Sequence, residues 1–159
     1  MSNEIKQSFE KRISQSISQI HELQKEDDAD EIIANLSKYL CILISGYTEK
    51  VFINSLVQYF SIRRDPKIAK FVANTHKHTT NLTMKKILEI LNSFDKELED
   101  KLKSSTSFDE YNAAVSSIYE NRNKIAHGEV TTVTVSRLEN WYKNIKDMID
   151  EIIKIVNKS

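Results

Sequence analysis

The chain has 159 residues, 23 Lys plus Arg against 23 Asp plus Glu, and only two glycines, one proline and one cysteine. That length is one ordinary domain, and a formal net charge of zero is not the footprint of a tight, nonspecific nucleic-acid binder. So little Gly and Pro excludes a strand-rich fold, which needs frequent turns, and calls for long helices. The lone Cys41 lies in the apolar run 40–44. It excludes an intramolecular disulfide and a thiolate-only metal site, and reads as a small buried hydrophobe. The N-terminal MSNEIKQSFEKR has no apolar export core, and no stretch approaches the roughly 18 apolar residues of a membrane span. The expectation is therefore a cytoplasmic protein with no membrane partner.

In chain order, the first expected helix covers about 3–23, with Ile5, Phe9, Ile13, Ile17 and Ile20 at helical spacing. An acidic stretch, Glu22 to Glu31, holds six acids against Lys25; the Asp residues at its end suit the start of a second helix. That helix covers about 30–61. Its centre, YLCILISGY, is apolar nearly all round and predicts a buried central element. Asp65-Pro66 opens a short third helix, since Pro fits the first helical position, and 74–80 reads as a polar loop. From Arg63 to Lys86 seven basic residues (Arg64 among them) stand against one acid, Asp65, a distribution able to give a neutral protein one positive face. A fourth helix, about 82–102, carries Ile87, Leu91, Phe94, Leu98 and Leu102 on one side. Ser107 with Glu110, and Ser136 with Glu139, match the capping-box spacing at the start of two more helices. Between those two, Gly128 marks a stop and 129–135 reads as a crossing loop. The last helix turns Leu138, Trp141, Ile145, Met148, Ile152 and Ile155 inward. The expected fold is all-α: an antiparallel bundle of about five to six helices in a single domain, 1–159, with 1–28 as a possible accessory to the core.

The helix after Ser107 carries the distinctive chemistry. Its apolar positions are Tyr111, Val115, Ile118 and Ile125, and the position completing the pattern is Arg122. A guanidinium there cannot shed its charge, so it needs either a partner such as Glu49 or Glu120, or a site open to anions. Such a break in the binary pattern is where functional sites tend to show. Asn123 and His127 are four residues apart and project from neighbouring points of the helix surface. His127 stands beside Gly128 at the helix end, where the dipole favours an imidazolium suited to proton transfer. An Arg clamp with a nearby imidazole is the pair that chemistry at a phosphodiester requires. By contrast, His76 and His78 have no third ligand at a telling spacing and read as polar loop residues; no metal site and no cofactor are expected. No Gly-rich phosphate loop is present, which excludes P-loop nucleotide hydrolysis.

The run Glu120-Asn121-Arg122-Asn123-Lys124-Ile125-Ala126-His127-Gly128 resembles the R-x4–6-H signature of HEPN domains, in the form Arg-Asn-x-x-x-His-Gly. Its place late in the chain, at the end of a helix and before one last long helix, agrees with that family over about 30–157, with the RiboL-PSP group as the nearest subgroup. The resemblance implies a metal-independent endoribonuclease that dimerises so that both motifs line one cleft. RNA would be cut by attack of the neighbouring 2′-hydroxyl. It assigns His127 as general acid/base, Arg122 as phosphate clamp and Asn123 as an orienting hydrogen-bonder. An acidic residue on an earlier helix often completes the cluster, and Glu49 is the candidate. Toxin–antitoxin or antiphage relatives imply an antitoxin or other protein partner. The alternative is a non-catalytic helical module that binds RNA, a nucleotide or a protein partner.

Overall fold

The computed structural model describes residues 2–63 and 65–159; Arg64 of the basic segment lies outside them. Among the described residues there are seven helices and no strand: α1 (Ser2–Leu23), α2 (Asp30–Arg63), α3 (Pro66–Thr75), α4 (Met84–Phe94), α5 (Lys96–Lys103), α6 (Phe108–Ala126) and α7 (Val135–Lys158).

The long α2 is the centre, packing against α1, α3, α6 and α7. It is apolar and long enough to cross a bilayer by composition. Here Leu40, Ile44, Tyr47, Phe52 and Leu56 are instead buried in the bundle, each at most 2% exposed. Cross-helix contacts fix the directions. Lys6 pairs with Asp150 at 3.1 Å and His21 with Glu139 at 2.9 Å, so α1 runs against α7. Arg12 donates to the Tyr39 hydroxyl while Phe9 meets Tyr47 edge-on, so α1 also runs against α2. The Tyr111 hydroxyl donates to Glu151 at 2.7 Å, while Asn121 and Trp141 line one cleft at the other end, so α6 runs against α7. The core is thus four long helices, α1 and α6 opposed to α2 and α7, with α3 to α5 inserted between α2 and α6. One consequence positions the site: the C-terminus of α6 and the N-terminus of α7 lie at the same end.

Several local expectations are revised. The stretch 82–102 is two helices, because Asp95 leaves helical geometry and its side chain caps α5 by accepting from the Glu97 N–H at 2.9 Å. This raises the helix count to seven. Thr134, not Ser136, caps α7, accepting from the Arg137 N–H at 3.3 Å. Ser107 precedes α6 but makes no side-chain cap, so neither capping box forms. Asp65 does cap α3, accepting from the Lys67 N–H at 2.8 Å, with Pro66 at the first helical position. Gly46 punctuates nothing. It sits mid-α2 where the Phe9 ring closes in, and a Cβ there would lie 3.1 Å from that ring.

Candidate functional site

Burial along α6 stops partway. Tyr111, Ala114, Val115 and Ile118 are buried, each at most 5% exposed, whereas Asn121, Arg122, Asn123 and Ile125 are only half-buried and Lys124, Ala126 and His127 are exposed. The last two turns therefore project past the core carrying mostly polar side chains.

Polar bonds, beside the packing of Ile125 and Val133 against the core, hold this end. His127 is the C-cap, its N–H bonded to the Asn123 carbonyl at 3.0 Å. Gly128 follows at φ +69 in the left-handed region that L side chains rarely adopt. The Gly128 N–H then reaches the Ile125 carbonyl at 3.1 Å and the Glu129 N–H reaches Lys124 at 2.8 Å. These are the two bonds of a Schellman stop. The Asn121 amide donates to the Ser117 carbonyl and its oxygen accepts from the Thr131 hydroxyl, both at 2.8 Å. The departing loop, 127–134, is thereby pinned to the helix it has just left.

Among the described residues the Arg122 Nη1 has one hydrogen-bond partner, a long 3.5 Å contact to Asn123 Oδ1. Among the described residues Arg122 makes no ion pair, so neither Glu49 nor Glu120 neutralises it. The His127 ring is exposed and, among the described residues, has no side-chain partner. Helical spacing of about 100° per residue sets Arg122 and His127 roughly 140° apart, with Asn123 between them. The structure thus brings Arg122 to Asn123 and sets His127 one turn beyond Asn123, while the two ends of the motif face different sides.

Glu49 is not brought to the motif. Its carboxylate accepts from the Asn81 N–H at 2.7 Å and the Ser45 hydroxyl at 3.5 Å, tying down the α3–α4 loop. Cys41 Sγ lies 4.0 Å from the Ile118 carbonyl. Further along α2, Glu49 lines a small pocket with Val115, Ile118 and Tyr119 of α6, and among the described residues it makes no hydrogen bond or ion pair with Arg122. It lines a cleft of about 200 Å³ with Lys50, His76 and Lys77. There burial, and then Lys86, lower the His76 pKa. Among the described residues no three His, Cys, Asp or Glu side chains are grouped to hold a metal ion.

A groove of about 850 Å³ runs along α4 and α5 to the opposite end of α6 at Phe108 and Asn112. Of its charged lining residues, Glu99 pairs with Lys103 and Glu89 with the neighbouring Lys86, which leaves Lys85 as a single cation without an ion pair among the described residues. A smaller cleft of about 290 Å³ adjoins the motif and is lined in part by Asn121, Lys124, Thr131, Arg137 and Trp141. None of these was singled out as a site residue in the sequence. Lys124 is a variable position inside the motif, Asn121 immediately precedes it, and Trp141 belongs to an inward-facing stripe. Only the antiparallel meeting of α6 and α7 brings them together.

A four-helix core whose penultimate helix ends in Arg-Asn-x-x-x-His-Gly beyond the packed interior defines the HEPN class of domain. The RiboL-PSP-HEPN family model matches residues 7–158, and the chain belongs to that family. The match starts inside α1, so the first helix falls within the family's span rather than outside it. No curated protein and no solved structure matches the chain significantly.

Proposed function

We propose that the chain is a metal-independent endoribonuclease of HEPN type, acting on RNA as a homodimer in a cytoplasmic toxin–antitoxin or antiphage setting, where an antitoxin or other protein partner restrains it. The observation that carries this reading is the half-buried guanidinium of Arg122, without a carboxylate to neutralise it, one turn and a half from the exposed imidazole of His127. Holding a permanent cation at the core's edge without a counter-charge is costly unless an anion visits it. Arg122 clamps the scissile phosphate and Asn123 orients it. An imidazole takes the proton from the 2′-hydroxyl as its oxygen attacks phosphorus. The P–O5′ bond breaks and the 5′-oxygen receives a proton from an imidazolium, leaving a 2′,3′-cyclic phosphate and a 5′-hydroxyl. The angular spread of Arg122 and His127 on one helix supports the dimer: a second copy's motif supplies the groups that one helix end turns away.

The test is cleavage of single-stranded RNA by the wild-type chain in EDTA, with analysis of the product ends and a parallel substrate carrying 2′-deoxyribose at the cut positions. Metal-independent cutting to cyclic phosphates, blocked by the deoxy substitution, is the expected result. A pure dimer that binds the RNA and leaves it whole replaces this reading with the binding-module alternative.

A further inference from the structure

Lys124, Arg137 and Trp141 converge on the 290 Å³ cleft between the end of α6, the 127–134 loop and the first two turns of α7. The cleavage chemistry above uses none of them. Lys124 and His127 are neighbours on the surface of α6, three residues apart. A strand leaving His127 across Lys124 therefore enters this cleft directly. Arg137 and Trp141 are one turn apart on the facing surface of α7. Both cations are exposed, and among the described residues neither makes an ion pair. Among the described residues no carboxylate lines the cleft. Trp141 packs against the core at one edge and is half-exposed at the other, so the indole is a fixed flat wall. The opposite wall is fixed too, by the 2.8 Å bond from Thr131 to Asn121.

We propose that this cleft is a subsite for one nucleotide of single-stranded RNA adjoining the scissile phosphate. Lys124 and Arg137 hold its phosphate and the base stacks on Trp141. Two uncompensated cations beside a rigid aromatic face are the combination that single-stranded nucleic acid requires, whereas an acidic peptide would leave the indole without a role. The volume, near the small end of ligand clefts, suits one nucleotide and not a duplex. A neutral protein can hold RNA this way because the positive charge is local. The choice of ligand rests on the ribonuclease reading.

Trp141 is the chain's only tryptophan, so its fluorescence reports on this cleft alone. The experiment titrates the His127→Ala protein, chosen so that the RNA survives, with a mixed-sequence single-stranded hexaribonucleotide. Saturable quenching is expected. Adding Lys124→Ala or Arg137→Ala weakens binding about tenfold and lowers the salt slope by roughly one phosphate contact each. Lys154→Ala, about 20 Å along α7, leaves binding unchanged. In the cutting enzyme the two cleft variants raise KM while kcat holds. An unchanged emission overturns the subsite, whether or not labelled RNA binds elsewhere. Equal affinity in the two cleft variants, or equal quenching by hexaglutamate, overturns it as well. If the wild type cuts RNA while Trp141 stays silent, the subsite falls and the ribonuclease stands. If Trp141 is quenched in an Arg137-dependent way but nothing is cut, the reverse holds.

Discussion

The two halves of α6 are built on different terms. From Tyr111 to Ile118 the helix turns one face into the core, and its side chains are fixed by packing with α2 and α7. From Asn121 to His127 only Ile125 still packs against the core, and the other positions are set by single polar bonds: Asn121 to Thr131, Arg122 to Asn123, and the turn at Gly128. Packing tolerates no missing volume but is indifferent to chemistry beyond apolarity. The polar end adds little to stability and everything to what the helix can touch. A chain that needed only a bundle would have ended α6 with another Leu at position 122.

The contrast is sharpest in stability. Ile118→Ala should cost about 2–5 kcal/mol through lost burial and a residual cavity, a drop in Tm on the order of 10 °C. Arg122→Ala, four residues on, should stay within about 1 kcal/mol; thermal unfolding of the two side by side would break the comparison if they melted alike. Gly128→Ala is next, at about 1–2 kcal/mol, because φ +69 places a Cβ against the following carbonyl. It should also shift His127 and reduce cleavage, whereas Gly128→Asn, which tolerates that conformation, should recover much of both. Thr131→Val removes the hydroxyl that pins the loop and should cost about 1 kcal/mol, seen as faster amide exchange across 129–133 with no change in the core.

The smallest effect concerns pH. The His21 pKa is raised above its ordinary 6.5, first by its hydrogen bond to Glu139 and then by Gln24. A raised folded value means the stabilisation is fully present below 6.5 and is lost as pH rises through the folded value. The ring is 46% exposed, so the effect should be a few tenths of a kcal/mol. Between about pH 6 and about pH 9, wild type should lose slightly more Tm than His21→Gln. Equal losses would remove the α1–α7 ion pair from the stability of this end.

What the sequence made legible follows the same division. The apolar stripes of α1, α2, α6 and α7 announced their buried faces because periodicity is a local signal. Arg122 and His127 stood out because one broke that periodicity and the other sat at a marked helix end. Asp95 went unread because the stripe Leu91, Phe94, Leu98, Leu102 runs straight through the break. Ser136 misled for a related reason: Thr134, two residues earlier, is an equally good cap. Glu49 was a reasonable partner for a buried Arg, but no spacing reveals at which level α2 crosses α6. The cleft at Trp141 needed that same tertiary knowledge.

The most direct measurement is the rate of RNA cleavage in EDTA by wild type, Arg122→Ala and His127→Ala, each checked for an unchanged Tm. The expected result is cutting by wild type and a loss of roughly 100- to 10,000-fold in each variant, the range of a removed proton-transfer group or charge-stabilising donor. Wild-type cutting that survives in both folded variants would contradict the assignment of the α6 terminus as the active site.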